Sequence, residues 1–398
     1  MKQFRDWMHG KGQSAVMMIA ALVALGMVLH YAVTERGSRS QAALSQTIKS
    51  KETRGGYIEP ARQNAKQAKK AKDTDAKGTE KPDTSIHLGF AGDICLDDTC
   101  AVMRHMKRQG GLSKVISPKL IEKMNSYDSM IINNEFSISK RGKPMPGKAY
   151  TFRSRPSNVK YLKKLGVDVA GLANNHIYDY GKKAFLDTLF YLKKAGLKTM
   201  GAGKNMAEAK EPVYLTIKGK TIALVAATRA EKYIMTPEAG KNSPGVFRTY
   251  DDRKYVREIK KAGKKADYVI AYVHWGTEYS TALEDAQVQQ AKDYINAGAD
   301  AVIGAHTHCL QGVGYYKGVP IIYSLGNFWF NEKTLYTTVL EVDITKQGKL
   351  NAKMLPCLQS GKETKLLTKP SKIKKFVKYV NKISKNARLD SRGNVSKM

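Results

Sequence analysis

Two imidazoles, His306 and His308, stand one residue apart just after a short apolar run, residues 301–303, that Gly304 stops. Side chains at i and i+2 share one side of an extended or sharply turning backbone. Histidine is the commonest metal ligand among side chains, so the pair can serve one ion, or one each of two adjacent ions. The same design recurs along the chain. Residues 86–91 run into Gly92-Asp93, 130–132 into Asn133-Asn134-Glu135, and 167–173 into Asn174-Asn175-His176, with Asp179 and Gly181 close behind. Residues 266–273 run into His274-Trp275-Gly276, followed by Glu278 and Tyr279, and 319–323 into Ser324-Leu325-Gly326-Asn327-Phe328. Taken singly, each has a plain explanation: a turn for Gly-Asp, a turn or helix cap for Asn-Asn-His, a satisfied core histidine for His274. Taken together they put two carboxylates, an amide oxygen and three or four imidazoles on successive strand ends. That mixture suits hard or borderline divalent ions. His9, His87 and His105 fall away from strand ends and are assigned to surface or packing.

The elements that must position this set alternate. Between the strands lie helical patterns at 156–165, 182–195, 251–263 and 285–297, and residues 213–228 read as a hairpin turning at Lys218-Gly219-Lys220. Strand alternating with helix indicates a layered α/β domain, and in open α/β sheets sites sit beyond the carboxyl ends of strands. This domain is expected over residues 85–358. Residues 14–33 carry no charge and match the about 20 apolar residues a bilayer-crossing helix needs. Lys2, Arg5 and Lys11 precede them, which predicts a signal-anchor with residues 1–13 cytoplasmic and the rest outside the cell. Residues 34–84 are rich in Lys, Gln, Ala and Ser and read as a flexible basic linker. Residues 359–398 read as a basic tail. There Ile373, Phe376, Val377, Val380 and Ile383 fall at helical spacing with lysines opposite, either docked on the domain or facing anionic lipid or polymer.

The formal net charge of +33 suits work beside a polyanion or a membrane surface. No zinc-finger spacing or RNA-recognition signature accompanies it, which argues against nucleic acid. Four cysteines, Cys95, Cys100, Cys309 and Cys357, are too few and too scattered for a disulfide framework.

The motifs Gly92-Asp93, Asn133-x-Glu135, 173–181 (ANNHIYDYG), 274–279 (HWGTEY), 304–308 (GAHTH) and 324–328 (SLGNF) together resemble the CapA/PgsA family of poly-γ-glutamate capsule synthesis. That family is similar to calcineurin-like metallophosphoesterases. The resemblance implies a four-layer α/β/β/α sandwich preceded by one transmembrane helix. It also implies a site with two divalent metal ions (Mn, Zn or Fe) and hydrolysis of a phosphoester between them. Carried onto this sequence, Asp93, Glu135, Asn175, His274, His306 and His308 are the implied metal ligands, with Glu135 bridging. His176 is the implied acid on the leaving oxygen, with Asp179 and Glu278 in catalytic support. Cys95, Asn174 and Asn327 are implied behind the ligands or at the substrate. Two departures from the wider phosphoesterase pattern stand out. Cys95 occupies a histidine's place, and Glu135 that of an aspartate. Cys95 is open to three readings: packing, a thiolate ligand favouring zinc, or a disulfide with Cys309. The implied partners are the membrane, a polyanionic polymer and membrane subunits of a capsule synthase complex. The alternatives are a hydrolase of another envelope phosphoester and a non-catalytic scaffold that holds polyanion.

Overall fold

The strand Ile86–Ile94 is the centre of the first of two large sheets. On one side it pairs in parallel with Ser129–Asn134, which continues to Val167–Gly171 and Lys198–Met200. On the other side three antiparallel strands follow, Leu335–Ile344, Leu350–Ser360 and Glu363–Leu366. A short strand, Asn327–Trp329, pairs in parallel with the end of Ile86–Ile94. In the second sheet Lys220–Thr228, Tyr268–His274, Ala301–Ala305 and Val319–Ile322 run parallel, edged by Val213–Ile217 and Val313–Tyr316. The computed structural model describes residues 84–231 and 235–398.

Strand alternation sorts the side chains into three cores. Leu88, Phe90, Ile131 and Val169 of the first sheet meet Leu224, Ile270, Tyr272 and Ile303 of the second in the middle core. The intervening residues face outward. Ala91, Ile94, Met130 and Ile132 lie under Met103, Met106, Leu120, Leu162 and Phe185, which belong to Ala101–Gln109, Pro118–Asn125, Val159–Lys164 and Gly181–Lys194. Val225, Ala271, Val273 and Val302 lie under Tyr255, Ile259, Tyr294 and Ile295 of Arg253–Ala262 and Asp285–Asn296. Three cores between helices, sheet, sheet and helices make four layers. Each fully buried large apolar side chain contributes on the order of 1.5–3 kcal/mol. The hairpin at Lys218-Gly219 forms with both residues at positive φ, 50° and 79°, the conformation that matches the twist of its flanking strands.

The amphipathic tail pattern forms the helix Pro370–Ile383, which turns inward and buries Phe376 and Val380 in the core between the sheets. A final hairpin, Ala387–Leu389 with Val395–Lys397, adds Leu389 and Val395 to the same core. Two expectations are corrected or set aside. Among the described residues no helix is long and apolar enough to cross a membrane. The fold is therefore stated without a transmembrane helix, and the membrane-anchored, single-pass, extracellular placement is withdrawn. The signal-anchor at 14–33, the N-terminal segment 1–13 and all of the linker but its last residue lie outside the described residues.

Candidate metal centre

Parallel strands of both sheets deliver their carboxyl ends to one place, and polar residues crowd there. Asp93 lies at the end of Ile86–Ile94, and Glu135 follows Ser129–Asn134. His274 ends Tyr268–His274, and His306 follows Ala301–Ala305. Two glycines let these ends approach. A Cβ on Gly92 would lie 1.8 Å from the Gly326 carbonyl oxygen, and one on Gly304 would lie 2.0 Å from that of Tyr323. The first contact sets Asp93 in register with Asn327, through the bond from the Asp93 N–H to the Gly326 carbonyl at 3.0 Å. His306 and His308 both take left-handed backbone, φ 97° and 55°, which is uncommon for residues with a side chain and concentrates at functional sites.

Two groups of ligand-type atoms result, each lying within 4.8 Å of one another: Glu135 with His274 and His306, and Asp93 with Glu135 and His308. Glu135 belongs to both, so two clusters able to hold metal ions share one carboxylate. His274 Nε2 lies 3.5 Å from Glu135 Oε1 and 2.8 Å from Asn175 Oδ1. His308 Nδ1 lies 3.2 Å from Asp93 Oδ2 and 2.8 Å from Asn327 Oδ1. All four carboxylate and amide side chains are buried, as are the three histidines. Yet Glu135 Oε1 and His306 Nδ1 have no hydrogen-bond partner. Buried polar atoms are rarely left unpaired, and here Glu135 Oε1 and His306 Nδ1 both carry lone pairs and belong to residues of one cluster.

The electrostatics lean the same way. Burial, then the neighbouring Asp93, pushes the Glu135 carboxyl well above its usual range. Burial, then the neighbouring histidines, holds His274 and His306 well below the ordinary imidazole value, so both rings keep a lone pair to offer. His308 differs: burial pulls it down, but the adjacent Asp93 outweighs this and leaves it raised.

Asn133 ties the centre together, a role its place in a turn-like Asn-Asn pair did not announce. Its Nδ2 donates to Asp93 Oδ1 at 2.8 Å and to Glu135 Oε2 at 3.2 Å, and its Oδ1 accepts from Asn174 Nδ2 at 3.0 Å. Asn174 also donates to the Asn134 carbonyl and accepts from the His176 N–H, fixing the loop that carries Asn175 and His176. His176 Nδ1 lies 2.8 Å from Asp179 Oδ2, and its ring packs on Phe152 with centroids 4.6 Å apart. Glu278 is exposed, because the chain swings outward through Gly276 and Tyr279, both at positive φ. Its charge nevertheless helps raise Glu135 and His308. Cys95 is fully buried and belongs to neither cluster; its sulfur lies 3.4 Å from that of Cys100, and all four cysteines are free. The pairing with Cys309 does not occur, and burial raises the Cys95 thiol further from the thiolate a metal would need.

A four-layer α/β sandwich with two cation-ready clusters at its strand ends is the class that fold and site define. The family model described as bacterial capsule synthesis protein PGA_cap matches residues 87–332, and the chain belongs to that family. The PGA biosynthesis protein CapA of Bacillus subtilis (strain 168) is 31% identical over 270 residues, which cover 67% of this chain and 70% of that protein. The capsule biosynthesis protein CapA of Bacillus anthracis is 38% identical over 183 residues, 45% of this chain and 44% of that protein. The resemblance to the CapA/PgsA family, and with it the link to poly-γ-glutamate capsule synthesis, is thereby borne out. Among solved structures, a novel phosphatase from Mycoplasma pneumoniae is 13% identical, covers 70% of this chain and 95% of its own, and superposes with a TM-score of 0.45, a likeness too weak to argue from.

Proposed function

We propose that the chain serves poly-γ-glutamate capsule synthesis through a site that binds two divalent cations, manganese, zinc or iron, and hydrolyses a phosphoester. One observation supports this above the rest: Glu135 Oε1, on the carboxylate both clusters share, and His306 Nδ1, in one of them, are buried with no hydrogen-bond partner. Glu135, His274 and His306, with Asn175, would hold one cation, and Asp93, Glu135 and His308 the other. Such cations supply positive charge for phosphoryl oxygens and orient the ester. The chain's own groups do the rest. Asn133 aims the two carboxylates, and Asn327 holds His308 through Nδ1. Asp179 holds His176 through Nδ1, leaving the other ring nitrogen to pass a proton to the leaving oxygen. Poly-γ-glutamate, with one carboxylate per residue, is the polyanion that a protein of net charge +33 would meet, with subunits of a capsule synthase as its partners.

The test is metal analysis of the purified protein after loading with manganese, zinc or iron, combined with turnover of bis-p-nitrophenyl phosphate. Two ions per chain are expected, with His306→Ala losing about one of them and at least about 100-fold in turnover. A wild-type protein that takes up no cation and turns over no phosphoester overturns the reading and leaves a polyanion-holding scaffold.

A further inference from the structure

Lys148 sits in an exposed stretch, with Pro146, Gly147, Ala149 and Tyr150 all open to solvent. Its own side chain does the opposite and turns inward until only 8% of it is exposed. A lysine gives up much hydration to do this, so its ammonium must be matched by partners. Two segments supply them, the loop 175–179 and Glu231. Nζ lies 2.8 Å from Asp179 Oδ1 and 2.9 Å from Glu231 Oε1, and it donates to the Asn175 carbonyl. The Asn175 carbonyl also accepts from Thr236 Oγ1 at 2.7 Å, and the Thr236 N–H donates to Glu231 Oε2 at 3.0 Å, closing a ring around the ammonium. Asp179 is shared in turn: its other oxygen accepts from the Phe152 N–H at 2.7 Å and meets His176 Nδ1 at 2.8 Å. Phe152 then packs against the His176 ring, the two planes tilted by 50°.

The geometry points to Lys148 as a positioning residue for His176: it fixes the Asp179 carboxylate that sets the tilt of the imidazole, and it pins the backbone on which Asn175 and His176 sit. This rests on the phosphoesterase reading for what the orientation is used for, but the orientation itself does not. Asp179 lies between a cation and an imidazole: Oδ1 meets the ammonium, while Oδ2 meets both the Phe152 N–H and His176 Nδ1, so the carboxylate is held on both sides. Without the ammonium, Asp179 and Glu231 would face each other across an unfilled space with no counter-charge. The carboxylate would then turn toward solvent and release the ring. A purely structural ion pair would tie the loops together without governing which way His176 faces.

Both parts can be measured on the full chain. In metal-free protein with 15N-labelled histidine, the His176 Nδ1–H resonance, assigned by its loss in His176→Asn, should be protected from exchange in wild type and in Lys148→Arg. In Lys148→Met it should exchange at least about tenfold faster. Glu231→Gln, which removes one anchor of the ammonium, should shift it the same way and serves if Lys148→Met does not fold. In the zinc- or manganese-loaded enzyme, Lys148→Met should lower turnover of an alkyl phosphoester by about 100-fold, and that of a p-nitrophenyl ester far less. A poor leaving group needs the proton from a well-placed imidazole, and a good one does not. Unchanged exchange at His176 in folded Lys148→Met and Glu231→Gln overturns the inference whatever the turnover. A changed exchange in a protein whose wild type hydrolyses no phosphoester supports the positioning and overturns only the hydrolytic reading.

Discussion

Replacing Asn133 by aspartate changes one amide nitrogen into an oxygen and almost no volume, so it isolates the electrostatics of the centre. In the native chain that nitrogen donates to Asp93 Oδ1 at 2.8 Å and to Glu135 Oε2 at 3.2 Å, all three groups being buried. The bond that Asn133 Oδ1 accepts from Asn174 survives the exchange. Hydrogen bonds contribute about 1.5–3 kcal/mol to a charged group and about 0.5–1.5 kcal/mol to a neutral one, toward which burial pushes Glu135, so losing the two predicts a deficit of about 2–4.5 kcal/mol. A third carboxylate among two others adds to it unless one takes a proton. Against a total stability of about 5–15 kcal/mol for a typical domain, this is a large loss. Urea unfolding of Asn133→Asp beside wild type, both in chelator, reads it directly. Divalent cations should shrink the deficit, because the new carboxylate becomes a further cation ligand where the amide was only a donor. A deficit below about 1 kcal/mol in chelator would refute the assigned hydrogen bonds. A deficit that persists unchanged when both proteins demonstrably bind the cation would refute the placement of one cation between Asp93 and Glu135.

Two further outcomes are expected. Phe376→Ala should destabilise the protein by about 3–5 kcal/mol, measured by urea midpoint, because the ring is fully buried between the sheets and edge-on to Tyr336 at 5.5 Å; a cost near zero would mean that the tail helix does not dock. Metal-free protein should lose stability on acidification below about pH 6.5, the unfolded histidine value, since His274 and His306 are held neutral by burial in the fold. Their contribution is complete above that pH and is lost as pH falls, by roughly 1 kcal/mol per pH unit for each. Glu135, raised by burial, and His308, raised by Asp93, act in the opposite sense and offset part of it. Urea midpoints at several pH values in chelator check the net sign, and a rise in stability between pH 7 and 5.5 would contradict the neutral assignment.

The strand-end groups were legible because a parallel sheet converts sequence order into spatial convergence. Asp93, Glu135, His274, His306 and His308 each follow an apolar run, and that pattern alone places them at one edge of the fold. Asn133 was visible as a residue but not as a hub, because an amide in a turn looks the same whether it caps the backbone or bridges two carboxylates. Lys148 was invisible: it lies in a polar loop among exposed neighbours, and its partners Asp179 and Glu231 come from distant segments. Glu278 was legible only through the motif it shares with His274; it is exposed, with left-handed backbone at Gly276 and Tyr279 on either side, and its charge still reaches Glu135 and His308. The tail helix had one apolar face and one lysine face, which fits a protein core or a lipid surface equally. Only the gap left between two sheets, filled by Phe376 and Val380, decides between them.

That late-arriving plug has a consequence for biogenesis. The middle core draws on Leu88 and Phe90 near its start, and on Phe376, Val380, Leu389 and Val395 near its end. A nascent chain still lacking residues 370–395 would present the inner faces of both sheets without their closing helix and hairpin. Sheets with so many contacts between distant segments form slowly and expose apolar surface while they wait. Assembly of the two cation-ready clusters therefore waits on synthesis of residues 370–395, and a premature stop just before this stretch should yield protein that chaperones retain and proteases clear.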